Sequence, residues 1–196
     1  MAQSVEHIID EIFELYCRFG NADYIGEPVS QIEHMSQSAQ LAIDSGADDE
    51  VVLAAFFHDI GHLCESKSKE NDMAGFGIKS HEAIGARFLR EKGFPERVAH
   101  LVESHVQAKR YLAYKNPAYL ASLSEASKKT LEYQGGQMQK DEAAHFEKVR
   151  DFKIIIQLRL WDEAAKTISE PIIDLELIKQ KAAKVLSSNQ SRFPSQ

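Results

Sequence analysis

Leu53-Ala54-Ala55-Phe56-Phe57-His58-Asp59-Ile60-Gly61-His62 decides how this chain is read. An apolar run, long enough for a buried helix, ends abruptly in three potential metal ligands within five residues. Two imidazoles and a carboxylate cost free energy to bury together unless something pairs them, and a cation is the natural partner. At helical spacing His58 and His62 share one face, with Asp59 turned about 100° away. The plainer alternative is a helix end carrying an Asp and two hydrogen-bonded histidines.

Upstream, Asp48 or Asp49 opens the helix that carries this stretch. Ser30-Gln31-Ile32-Glu33 is a capping box, so a helix starts there, runs to about Ser45 and ends at Gly46, with His34 in its first turn. Asn21 to Pro28 is a polar loop that brackets Tyr24 and Glu27. It is either a connector or a flap able to swing over a pocket. Before it, Ser4 caps a helix to about Phe19, with Ile8, Ile9, Ile12, Phe13 and Tyr16 on its apolar stripe.

Downstream, residues 63–80 are polar and form a loop of the length usually kept for function or mobility. Ser80 caps a helix from about His81 to Lys92, and Pro95 begins another. His81 starts the first and His105 falls near the end of the second, so the two meet if the pair forms an antiparallel hairpin. The segment Leu112–Leu120 is aromatic and irregular, and Ser124 caps a helix through Glu132. A long helix is expected from about Asp141 to Lys166, with Arg159 and Asp162 three apart on neighbouring faces. A last helix spans about Asp174–Leu186, and 187–196 is expected to fray. No internal repeat or second domain is visible, so residues 1–196 are expected to form a single all-α domain with its core at about 23–170.

The 196 residues are 43% hydrophobic and 27% charged, ordinary for a globular protein. A net charge of −7 leaves no footprint for duplex nucleic acid or an anionic membrane, although a local basic pocket remains open to a small anion. Cys17 and Cys64 are too few for a disulfide framework, there is no basic signal-peptide start, and no stretch reaches membrane-spanning length. A cytoplasmic setting is expected.

The candidate ligands are His34, His58, Asp59, His62, His81, His105 and Asp162. Six or seven ligands with a shareable carboxylate suit two metals rather than one. Imidazole and carboxylate without sulfur favour iron, manganese or zinc. His7, His100 and His145 have no partner at ligand spacing and are set aside as surface or structural.

His34, then His58-Asp59, then a late Asp162 resembles the signature of the HD-domain superfamily, an all-helical metal-binding fold. The added His81 and His105 resemble its mixed-valence diiron oxygenases, which include myo-inositol oxygenase. The blocks Asp23–Glu27, His105–Tyr111, Thr130–Gly136 and Arg159–Glu163 are similar to the organophosphonate-cleaving branch, the 2-amino-1-hydroxyethylphosphonate dioxygenase type. The resemblance implies two iron ions as an Fe(II)/Fe(III) pair. His34, His58, Asp59 and Asp162 would hold one; Asp59, as a bridge, His81 and His105 the other. It implies that Tyr24 occupies an iron position at rest and leaves with Glu27 when substrate arrives. It also places His62, outside the metal shell, with Lys109, Ser127, Gln134 and Arg159 around the phosphonate. Those types suit the task, since Arg offers a planar fork, Lys a point charge, and Ser and Gln neutral donors.

The activity implied is cleavage of the carbon–phosphorus bond of a 1-hydroxy-2-aminoethylphosphonate, or its N-trimethylated analogue, by O2. The products would be phosphate and glycine or glycine betaine. The rival is an HD-domain phosphohydrolase using the same ligands, or a degenerate, non-catalytic domain. For Arg159 the rival role is a surface salt bridge with Asp162.

Overall fold

The computed structural model describes residues 3–24, 26–64 and 72–192. These contain eleven helices and no strand, with only isolated bridges at Asp23–Ser30 and Asp72–Ile78. The all-α expectation is met. No described helix is long and apolar enough to cross a membrane.

Helix α3, Asp49–Phe57, is the centre of the core. Asp48 caps it by accepting from the Val51 N–H at 3.0 Å, and Val51 to Phe57 are all buried. An all-round apolar helix must be enclosed by others. Helix α2, Gln31–Asp44, flanks it and begins with the expected capping box, in which Ser30 N–H and Oγ–H both donate to Glu33 Oε2 at 2.6 and 2.7 Å. Helix α1, Val5–Phe19, lays Ile8, Ile9, Ile12, Phe13 and Tyr16 against the same core. Tyr16 and Phe56 pack with ring centres 4.9 Å apart.

The helix does not continue through His62, contrary to expectation. It ends at Phe57, tight i→i+3 hydrogen bonds carry the chain over His58–Ile60, and α4, Gly61–Cys64, is a separate turn. His58 and His62 therefore share no continuous face. Gly61 explains the break: a Cβ there would lie 1.9 Å from the His81 carbonyl, so the backbone of α4 touches the start of α5 directly.

Helices α5, His81–Glu91, and α6, Glu96–Lys115, pack against each other. His105 is the tenth residue of a 20-residue helix rather than near its end, which sets it level with the start of its 11-residue antiparallel neighbour. Ser80 is not a side-chain cap; it sits at φ +56° and turns the chain into α5. The supposedly irregular region 112–120 holds the end of α6 and α7, Pro117–Ser122, capped by Asn116 Oδ1. Helix α8, Glu125–Tyr133, is capped by Ser124 as expected.

The expected long helix over 141–166 is two, α9, Lys140–Phe146, and α10, Phe152–Ala164, broken where Asp151 adopts φ +59°. The break lets Phe146 and Phe152 both close on Tyr111, with ring centres 5.5 and 5.2 Å away. One straight helix would point those two phenylalanines in different directions. Helix α11, Leu175–Arg192, continues past 187, where fraying was expected, with Asn189 donating to the Gly93 carbonyl at 3.0 Å. Residues 193–196, and 65–71 of the expected loop, lie outside the described residues.

Candidate metal centre

Five elements deliver the candidate ligands to one buried place. His34 comes from the first turn of α2, His58 and Asp59 from the turn after α3, His81 from the start of α5, His105 from α6 and Asp162 from α10. All are at most 4% exposed.

The backbone fixes which nitrogen of each imidazole carries the proton. Nδ1 faces a carbonyl oxygen in all four: His34 to Ala165 at 2.8 Å, His58 to Ala55 at 2.8 Å, His81 to Ile78 at 3.3 Å and His105 to Val102 at 2.7 Å. A carbonyl can only accept, so Nδ1 donates and a neutral ring turns its Nε2 lone pair inward. Those nitrogens then meet in pairs, His34 with His58 at 3.0 Å and His81 with His105 at 3.1 Å. Two lone pairs at that distance repel unless a cation lies between them.

Asp59 stands between the pairs. Its Oδ1 is 3.1 Å from His81 Nε2 and 3.5 Å from His105 Nε2, while its Oδ2 is 3.4 Å from His58 Nε2 and 3.7 Å from His34 Nε2. Asp162 Oδ1 lies 3.4 Å from His34 Nε2 and is buried without a hydrogen-bond donor. A buried carboxylate oxygen with no donor is costly unless a cation faces it. The charges make the same demand. Burial pushes the His58 imidazole down, but Asp59 and Asp162 overcome it and raise it to about 9. Burial pushes both carboxyls up, yet His58 beside Asp59, and Arg159 and His58 beside Asp162, hold them well below the usual range. The residues thus fit a cation on each face of Asp59.

His62 is the exception among the histidines. Asp59, His62 and His81 bring ligand atoms within 4.8 Å of one another, as His34, His58 and Asp59 do, so distance alone admits His62 as a ligand. Its Nδ1, however, accepts the Ile78 N–H at 3.2 Å. In the neutral ring the proton is then on Nε2, which donates instead of ligating. Burial keeps His62 neutral, and its ring stacks on His81 with centres 4.1 Å apart.

A cavity of about 460 Å³ opens over the cluster, and Tyr24, Glu27, His62, Lys109, Ser127, Gln134 and Arg159 all line it. Lys109 Nζ donates to Thr130 Oγ1 at 2.6 Å and Gln134 Oε1 at 3.1 Å. Arg159 does pair with Asp162, as the rival reading had it, but the pair is buried rather than on the surface. Its guanidinium also donates to Glu163 and, at 2.8 Å, to the Tyr119 hydroxyl, which orients Asp162 toward His34. The Tyr24 ring lies flat on His34, centres 4.0 Å apart and planes 12° from parallel. Burial, with Asp59 and Asp162 nearby, raises its phenol well above the usual range.

Sequence reasoning passed over Ile78, Thr130, Tyr119 and Lys166. The first three act through backbone or neutral groups that no spacing marks. Lys166 stands three residues after Glu163, a helical pairing distance, but its partner Glu27 is 139 residues away. His7, His100 and His145 stay outside the cluster, on Glu11, the Arg150 carbonyl and the Asp141 carbonyl.

Residues 32–176 match the HD domain family. The chain is 41% identical over 160 residues to a [1-hydroxy-2-(trimethylamino)ethyl]phosphonate dioxygenase (glycine-betaine-forming) of Leisingera caerulea, covering 82% of this chain and 81% of that one. It is 37% identical over 168 residues to a hydroxymethylphosphonate dioxygenase of Gimesia maris, covering 86% and 83%. The chain belongs to the HD-domain phosphonate dioxygenases. An uncharacterized protein of Acanthamoeba polyphaga mimivirus is 40% identical over 189 residues, 96% of this chain and 86% of its own. Among the described residues, this His/Asp cluster could hold a metal ion.

Proposed function

We propose that this phosphonate dioxygenase carries two irons in mixed valence and oxidatively cleaves a 1-hydroxyphosphonate in the cytoplasm. The substrate is a 1-hydroxy-2-aminoethylphosphonate or its N-trimethylated analogue. The two dioxygenase relatives act on a phosphonate by name, and the carbon bearing both hydroxyl and phosphonate is the common chemistry. The observation that carries the reading is Asp59, whose two oxygens each face a separate pair of Nε2 lone pairs beneath a cavity that Lys109 and Arg159 line.

His34, His58, Asp59 and Asp162 would hold one metal, and Asp59, His81 and His105 the other. When bound, the pair supplies the redox chemistry that couples oxidation at C1 to reduction of O2. The protein's own groups do the rest. Lys109, Arg159 and the His62 Nε2–H bind the phosphonate oxygens, with Ser127 and Gln134 as neutral partners. That grip turns C1 toward the Asp59 face. Tyr24 covers the His34 side of the cluster until substrate displaces it, with Glu27 moving in the same turn, and so keeps oxygen from an empty site. The C1–H and C1–P bonds break; one phosphonate and one O2 give one carboxylic acid and one phosphate with no external reductant.

The test is phosphate release from 1-hydroxy-2-aminoethylphosphonate and its trimethylated analogue by iron-loaded protein, with and without oxygen. Release that persists without oxygen sinks the oxygenase, because the C–P bond is then cleaved without oxidation.

A further inference from the structure

Lys166 lies in the turn after α10, next to the Ala165 carbonyl that fixes His34. Its ammonium has three protons and three partners: Glu27 Oε1 at 2.9 Å, Glu163 Oε1 at 2.8 Å and Ser127 Oγ at 3.2 Å. The Lys166 and Glu27 side chains are only 12% and 8% exposed, so the pair is largely out of water. Glu27 Oε1 also accepts the Ser124 hydroxyl at 2.5 Å, and Ser124 in turn caps α8 through the Ser127 N–H. The Lys166 cation after α10 and the Ser124 hydroxyl at the start of α8 therefore dock this carboxylate between the two helices.

Glu27 cannot leave alone. Its N–H donates to the Tyr24 carbonyl, and the Tyr24 N–H donates to the Val29 carbonyl, both at 2.9 Å. Gly26, at φ +79°, presses so closely on α8 that a Cβ there would lie 2.6 Å from the Ala126 Cβ. Undocking Glu27 loosens the turn that holds the Tyr24 ring on His34.

Ser127 connects this dock to the cavity. Its hydroxyl touches the Lys166 ammonium, and it lines the same space as Lys109 and Arg159. An anion bound at Ser127 arrives beside both members of the Glu27–Lys166 pair. It repels the carboxylate and competes for the ammonium, and in a largely dehydrated site neither effect is screened away.

The geometry points to Lys166 as the positioning residue that couples the anion pocket to the Tyr24 turn. It holds Glu27, and through it Tyr24, until an anion at Ser127 draws on its ammonium. This rests on the phosphonate reading of the pocket given above.

Amide hydrogen exchange, read by mass spectrometry on the iron-loaded enzyme without oxygen, tests it with methylphosphonate as probe. In the wild-type protein the Tyr24 and Glu27 amides exchange slowly and accelerate about tenfold when methylphosphonate binds. In Lys166→Met they exchange fast from the start and do not respond, while amides in the buried part of α6 stay as slow as in wild type. Lys166→Arg restores both the slow exchange and the response. A Lys166→Met protein with slow turn amides and a full response overturns the proposal. So does a wild-type turn that stays closed while methylphosphonate binds. If Lys166→Met does not fold, Glu27→Gln takes its place: a fast turn supports the coupling and a slow one overturns it. Methylphosphonate that fails to bind wild-type protein at all removes the pocket reading, a result distinct from binding without release.

Discussion

The backbone of Ile78 gives two stacked histidines opposite tautomers. Its N–H donates to His62 Nδ1 at 3.2 Å and its carbonyl accepts from His81 Nδ1 at 3.3 Å. His62 is left with a proton to offer and His81 with a lone pair, so neighbouring identical side chains take different chemistry. Gly77 makes room for this, since a Cβ there would meet the His62 ring at 2.7 Å. The histidines were legible in the sequence; the carbonyls and amides that set their protons were not, because every residue carries them. Lys109 shows the same limit. Burial, with Arg159 and Lys166 adding repulsion, brings its ammonium down from 10.5 to about 7, against the pull of Asp162 and Glu163. A phosphonate prefers the charged form, so KM should climb as pH rises through about 7. Lys109→Met should flatten that limb and raise KM below it by about 10- to 100-fold, the worth of a hydrogen bond to a charge. The folded pKa is below the unfolded one, so the unfolded chain holds the extra proton between about 7 and 10.5, and Lys109's contribution to stability rises with pH across that window. A wild-type KM independent of pH between about 6 and 9 would contradict this assignment.

At the scale of elements, spacing located helix starts well and helix ends poorly. Ser4, Ser30, Asp48 and Ser124 cap as their types foretold. The breaks at His58–Ile60 and at Asp151 were missed because tertiary contact, not local propensity, makes them. Gly61 is the clearest case. Its amide and that of Gly85 approach so closely that a Cβ on either lies within about 3 Å of the other helix's backbone, and this contact sets Asp59 opposite His81. Gly61→Ala should therefore destabilise by about 1–3 kcal/mol, as overpacking does, and should also cost iron by shifting His81 from His105. Gly46 is the control: at φ +75° it too resists substitution, but nothing lies within 4 Å of its Cβ position. Gly46→Ala should lose about 1 kcal/mol to backbone strain and keep its metal. Thermal unfolding and metal analysis on both variants check this; equal iron content in the two would break the link between the α4–α5 contact and the site.

For the whole molecule, the sequence disclosed the chemistry of the centre more readily than its support. Ligand types announce themselves, whereas Lys166 and Glu27 meet only after 139 residues of chain have folded. The same architecture would make a bound metal a structural tie, because the candidate ligands come from α2, the α3–α4 turn, α5, α6 and α10. An ion that binds only the folded state stabilises it by about 3–4 kcal/mol at 100 to 1,000 times its dissociation constant. In a chain of this size that is about 5–15 °C in Tm, which chelation should remove and iron restore. The effect should depend on pH. In the stripped protein, Asp59 and Asp162 raise His58 from 6.5 to about 9 against burial, so a proton stands in for the cation. Because the folded pKa lies above the unfolded one, that contribution is complete below about 6.5 and is lost as pH rises through about 9. Metal must displace the same proton, so it binds more tightly as the proton leaves. The Tm gap between iron-loaded and stripped protein should therefore widen from about pH 6.5 to about pH 9, and a gap that narrows over that range would mean that the paired imidazoles do not hold a metal.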